Sequence, residues 1–230
     1  MKNYLMAMVM LFCISLHAQD SSASRVEDFL TLGIGAAFTD FSALDKLVYP
    51  SSKQLPAGFM LSSRFSFNFL VKERHYFGSN LLGAVAWGET PSNNYFEINQ
   101  TAVDLHYGLV LRPQKRFQIW PEIGILTSAH QLYFEQNTGP NAKAGALLQS
   151  ANNATRLSYG RIYGQASVAF TWKDKGEPSF PFSPNAYGLH LGFQQAIGEG
   201  WWRKSNQKTL SGPDLFDQIY TVHLSMQWFF

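Results

Sequence analysis

Cysteine is almost missing from this chain: Cys13 is the single one among 230 residues, and it sits inside an N-terminal apolar segment. Removal of that segment leaves no thiol, which excludes disulfides, thiolate metal sites and cysteine nucleophiles from the mature protein. Lipidation at Cys13 is not expected either, because bulky Phe12 stands where a small residue is wanted. Charge is scarce and balanced, with 18 Lys and Arg against 16 Asp and Glu and a net +2, one unit of which belongs to Lys2. Such a balance gives no reason to expect a nucleic-acid partner. Long hydrophobic runs are also absent beyond residues 4–16, and the mean hydropathy is −0.13. A membrane protein that crosses with helices of about 20 apolar residues is thereby excluded. One that crosses with strands is not, because only every second strand residue meets lipid.

What the chain does have begins at its first residues. Lys2 precedes an apolar core from Tyr4 to Leu16, and Ser15-Leu16-His17-Ala18-Gln19 offers the small Ala18 for cleavage, so residues 1–18 read as a signal peptide. The other end is more informative. From Ile219 to Phe230 the residues alternate without a slip, with Tyr220, Val222, Leu224, Met226, Trp228 and Phe230 on one face and Thr221, His223, Ser225 and Gln227 on the other. An apolar face outward, a polar face inward and aromatics at the end suit a strand that closes a barrel in lipid.

The same two-residue period predicts strands at about 29–41, 58–71, 76–88, 97–111, 117–130, 157–172, 186–198 and 219–230. Strand two shows it well: Phe59, Leu61, Phe65, Phe67, Phe69 and Val71 face away from Ser62, Arg64, Ser66 and Asn68. The third strand alternates poorly around Leu81-Leu82, and Pro121 interrupts the fifth, at a bulge or an irregular rung. Connections alternate too. Long ones (42–57, 89–96, 131–156, 199–218) follow the odd strands, and tight turns (72–75, 112–116) follow strands two and four. The connection 173–185 is longer, and a ten-stranded count would need extra strands there or inside 131–156. Pro178, Pro181 and Pro184 argue against the first of these.

With the terminal strand and the loop asymmetry in view, the chain resembles the small eight-stranded outer-membrane barrels of Gram-negative bacteria, the OmpA/OmpX-like group. The Ala18-Gln19 junction is similar to signal ends of Bacteroidota. The resemblance implies an all-β, eight-stranded antiparallel up-and-down transmembrane barrel over 29–230, after a short periplasmic segment at 19–28. It also implies Val222, Leu224, Met226, Trp228 and Phe230 as the signal read by the outer-membrane insertion machinery, with outer-membrane lipid and lipopolysaccharide as surroundings.

An eight-stranded barrel has an interior that side chains fill, so the inward set Arg64, Asn68, Asp104, His106, Glu122, Arg161, Gln165, His190, Gln194, His223 and Gln227 is expected as a packed polar network in which acids and arginines satisfy one another. Asp104-Leu105-His106 could instead form half of a general-base arrangement, and Ser128-Ala129-His130 with Glu135 could belong to a lipid A acyltransferase or deacylase. Parity turns Ser128 and His130 toward the lumen, and no catalytic residue, cofactor or metal site is assigned. Trp87, Tyr95, Phe96, Trp120, Tyr133, Phe134, Trp172 and Trp228 are expected in interfacial girdles. Trp201-Trp202-Arg203-Lys204 is placed in the last long loop, as a candidate contact for lipopolysaccharide, a glycan or a protein partner. The expected role is non-enzymatic: envelope integrity, adhesion or association with another membrane protein through the exposed loops. A lipid A modifying enzyme and a narrow pore or hydrophobic-molecule conduit are the alternatives.

Overall fold

Successive strand side chains point to opposite sides, so each run of alternating polarity can satisfy an apolar surrounding and a polar interior at once. A computed structural model describes residues 26–42, 58–89, 95–111, 113, 115–135, 155–174, 183–204 and 214–230. The expected signal peptide, Cys13 and most of the long connections lie outside these residues. Eight strands form: β1 (Val26–Thr39), β2 (Phe59–Val71), β3 (His75–Glu89), β4 (Tyr95–Leu109), β5 (Phe117–Glu135), β6 (Thr155–Lys173), β7 (Ala186–Lys204) and β8 (Gln218–Phe229). Each pairs antiparallel with its neighbour in sequence, and β8 returns to β1 from Phe29↔Phe229 to Thr39↔Ile219. This is a closed, eight-stranded, up-and-down antiparallel barrel. Since every strand already has a partner on both sides, the ten-stranded alternative is overturned.

The outer face is apolar around the whole circumference. Ile34, Leu61, Leu81, Leu105, Ile125, Ile162, Leu191 and Leu224, one from each strand in turn, are all exposed. Aromatics collect toward the two rims of this surface. Phe117 packs on Phe170 and Trp172 at the end carrying the tight turns, and Phe38 on Phe59 at the end carrying the long connections.

Inside, the barrel is layered. Phe29, Leu70, Tyr76, Val110, Trp120 and Ala169 form an apolar plug at the turn end. A larger one at the loop end is built from Ala37, Met60, Phe96, Ile98, Leu126, Leu132, Tyr159, Tyr163, Trp202, Leu215, Phe216 and Ile219, among others. Polar residues fill the middle. These plugs correct two girdle expectations, because Trp120 and Phe96 point inward and are buried. They also explain why the third strand alternates poorly: Leu82 and Ala84 face inward against the loop-end plug, while Leu81 and Val85 hold the outer face in an unbroken register with β4.

Pro121 makes an irregular rung and not a bulge. The β4–β5 ladder stops at Gly108↔Glu122 and resumes in the same register at Leu111↔Ile119. Between them Pro121 has no N–H to give. The true bulge lies elsewhere, between the pairs Gly160↔Trp201 and Ile162↔Ile197, with Gly198 at φ 70° absorbing the turn. Beyond it β7 continues to Lys204, which corrects the loop placement of Trp201-Trp202-Arg203-Lys204. Trp202 is buried against Tyr159, with ring centroids 4.9 Å apart, and Trp201 lies across Gly160 on the outside.

Tight packing inside the wall can be probed at Gly108, where an added Cβ would fall on the Tyr76 ring. Gly108→Ala is expected to lower stability by about 1–3 kcal/mol through overpacking. Gly83→Ala, on the outer face and meeting only the Ser63 hydroxyl at 3.3 Å, should stay within about 0.5 kcal/mol. Urea titration of the two refolded variants checks this; equal stabilities would show that the Tyr76 ring yields freely.

Candidate functional site

The middle layer is organised by one ion pair that crosses the lumen. Arg64 on β2 donates from Nη2 to both carboxylate oxygens of Glu122 on β5, at 3.0 and 3.2 Å. Its Nε donates to Ser66 Oγ at 3.0 Å and to Asn80 Oδ1 at 2.9 Å. His190 on β7 sits between the two charges, in contact with Arg64 Nη1 and 2.7 Å from Glu122 Oε1. Tyr76 donates its hydroxyl to Glu122 at 3.0 Å, and Ser167 donates to the same carboxylate. Buried charge is tolerated where each charged atom finds partners, and this β2–β5 pair has its further partners on β2, β3, β6 and β7.

Asp104 is joined to this network through the same Asn80. Its carboxylate accepts from the Asn80 backbone N–H at 3.0 Å, from Asn80 Nδ2 at 2.5 Å and from Gln165 Nε2 at 3.1 Å. His106 Nδ1 lies 2.8 Å from it, with the other ring nitrogen 2.8 Å from Asn68 Oδ1. His223 on β8 pairs with Ser62 Oγ at 2.8 Å, and Gln194, opposite Ile219, is buried as well. Ser66 lies on the inner face beside Arg64 as the alternation of strand two predicts, whereas Asn80 and Tyr76 are missing from the inward set read from sequence, because the third strand alternates poorly.

Arg161 departs from the expected network. It lies opposite the β7 bulge and holds the segment 214–217 that crosses the loop-end mouth. Its Nη1 donates to the Leu215 carbonyl at 2.8 Å and meets Asp217 at 2.6 Å, and its Nη2 lies 3.6 Å from Asp214. Nη2 also donates to the Gly198 carbonyl at 3.2 Å. Tyr159 OH accepts from the Leu215 N–H at 3.0 Å, and Gly200 N–H donates to Asp214 at 2.9 Å. Phe216 has a φ of 55°, an unfavourable conformation for a bulky residue, and its ring stacks on His130 at 4.4 Å.

Beneath that segment Ser128 Oγ and His130 Nε2 stand 2.9 Å apart, both buried. The pair has the elements of a nucleophile and base, yet His130 Nδ1 has no hydrogen-bond partner among the described residues. Leu215, Phe216 and Tyr159 cover it from outside. The cavity against Arg64, Glu122, His190 and Gln227 is about 20 Å³, room for one water. Among the described residues no group of three His, Cys, Asp or Glu is arranged to hold a metal ion.

No family model matches the chain, and no curated protein matches it. Solved structures with a similar course include Ail, the attachment invasion locus protein of Yersinia pestis, in complex with the heparin analogue sucrose octasulfate (7% identity, 89% of this chain and 99% of that one, TM-score 0.45). Two others are Neisserial surface protein A (9%, 90% and 98%, TM-score 0.40) and a major outer membrane protein from Thermus thermophilus (8%, 87% and 99%, TM-score 0.44). Likeness at this level says nothing of function.

The cross-lumen pair predicts strong non-additivity. Arg64→Met or Glu122→Leu alone leaves one buried charge without its partner and is expected to cost about 3–5 kcal/mol, whereas the double variant should recover most of that loss. A double-mutant cycle by chemical unfolding of the refolded barrel checks it; simple additivity would mean the two charges are satisfied independently.

Proposed function

We propose that the chain is a non-enzymatic outer-membrane β-barrel of a Gram-negative bacterium. In this reading residues 1–18 direct export, and Val222, Leu224, Met226, Trp228 and Phe230 present the terminal strand to the insertion machinery. The connections between β1 and β2, β5 and β6, and β7 and β8 then serve envelope integrity, adhesion or association with another membrane protein. The observation that carries it is the inverted distribution of polarity. Apolar side chains cover the outside of all eight strands, while Arg64, Glu122, Asp104 and His106 are buried with partners inside. In water that arrangement would expose apolar surface far beyond the few hundred square ångströms usual for a soluble protein; in lipid it is the stable one. The start of β1 and the end of β8 lie with the tight turns, which matches a periplasmic placement of that end and leaves the long connections outside the cell.

The filled lumen favours a scaffold over a pore. It also weighs against catalysis at Ser128 and His130, which face inward beneath Phe216 and away from any lipid substrate. Mass spectrometry of lipid A from cells with and without the gene separates these readings, since a changed acylation pattern would support the enzyme and displace the scaffold.

Two measurements test the membrane placement. The protein from isolated outer membranes is expected to shift its gel mobility on boiling; soluble fractionation with no shift would remove the reading. Leu224→Arg, at a residue 66% exposed on the outer face, should cost about 2–4 kcal/mol in a bilayer, while Gln131→Arg near the loop-end rim should cost about 0–1 kcal/mol. Equal costs at the two positions would show that no hydrocarbon belt surrounds the barrel.

A further inference from the structure

The turn end of the barrel carries a cationic cleft that the scaffold role does not use. The β2–β3 and β4–β5 turns lie side by side, tied by the Val110 N–H donating to the Arg74 carbonyl at 2.7 Å. Between them is an open cleft of about 860 Å³ lined by Lys72, Glu73, Arg74, Pro113, Lys115, Arg116 and Phe117. Among these described residues four are cations and one is an acid. Lys72 and Glu73 occupy the centre of a tight turn at φ 51° and 57°, where Asn-Gly would be the less strained choice. The turn thus holds two charged side chains in a backbone conformation that disfavours them.

One wall of the cleft continues into lipid. Phe117 lines it and also packs on Phe170 and Trp172 of the outer face, at 6.3 and 5.2 Å. Arg116 is fixed beside it, its Nε donating to the Lys173 carbonyl at 3.1 Å. A cationic pocket that opens onto an apolar aromatic wall matches an amphiphile with a negative head and a hydrocarbon tail. A protein's acidic segment has no use for that wall.

We propose that this cleft binds an anionic phospholipid, its phosphate held by Lys72, Arg74, Lys115 and Arg116 and its acyl chain lying along Phe117 and Phe170. The inference rests on the barrel-in-lipid reading. Lys and Arg at a membrane surface attract anionic lipid over about a Debye length, so each cation removed weakens binding about fivefold.

Native mass spectrometry of the refolded full chain, offered phosphatidylglycerol and phosphatidylcholine with matched chains, tests the site. Selective retention of phosphatidylglycerol is expected. Lys72→Gln with Lys115→Gln should weaken it about 25-fold, and Glu73→Gln should tighten it about fivefold, an outcome misfolding cannot imitate. Equal retention of the two lipids, no response to Glu73→Gln, or equal binding of free glycerol phosphate would each overturn the proposal. Gel mobility with and without boiling is read on every variant. A closed barrel without lipid selectivity removes this site alone, and an unclosed, uninserted chain removes the membrane reading beneath it.

Discussion

The Arg64–Glu122 pair is the constraint on which the rest of the interior depends. Two opposite charges meet inside the barrel beside a cavity with room for one water, both side chains buried, so their desolvation has to be offset locally. The pair and the partners that do so come from five strands, and each of them has to be in register to reach. A slip of one residue in any of these strands would turn its polar set outward and its apolar set inward. The ion pair therefore specifies register more than it adds stability. Asp104 repeats the arrangement on a smaller scale, with Asn80, Gln165 and His106 converging from β3, β6 and β4.

A polar layer of this kind is protected only if water cannot exchange through the ends. At the turn end Phe29 packs on Trp120 and Phe229 at 5.2 Å each, and Tyr76 closes on the same group. Tyr76 has two roles, since its ring belongs to the plug and its hydroxyl to Glu122. The opposite plug is completed by Leu215 and Phe216, which come from the connection leading into β8. That explains the strain at Phe216: a left-handed residue there drops its ring onto His130 while Arg161 holds the Leu215 carbonyl. An unfavourable backbone conformation persists where surrounding contacts over-determine it.

The strand count, the inward parity and the terminal strand were legible because a barrel in lipid imposes a strict two-residue period wherever one face meets hydrocarbon. Legibility failed where that contrast fades. Phe96, Trp120 and Leu82 face an interior that is apolar near its ends, and an apolar residue on the inner face carries no mark distinguishing it from one on the outer face. The extension of β7 through Trp201 and Trp202 was hidden by the bulge: Gly198-Glu199-Gly200 puts two glycines and a charge between Ile197 and Trp201, so no alternation of polarity marks the strand there although its outward parity is kept. Arg161 read as a lumen charge because its parity is correct. Its partners Asp214 and Asp217 lie far along the chain, where no local pattern announces them.

A sealed, layered interior moves any encounter with other molecules to the two ends, and the ends differ in how firmly they are built. At the loop end the last connection leaves β7 just after Trp202 and rejoins at Leu215 and Phe216. Both anchors meet Tyr159, with ring centroids 4.9 Å from Trp202 and 6.2 Å from Phe216. Tyr159 in turn shares its hydroxyl with Arg161 and the Leu215 N–H. The base of that connection is thus part of the barrel core, fixed by the same aromatic packing that closes the mouth. Groups at that base share the rigidity of the wall, which lowers the ordering cost of binding to them. Contact with a partner at this end would therefore be set by residues that the core holds in place, and Tyr159 is where the core and that base meet.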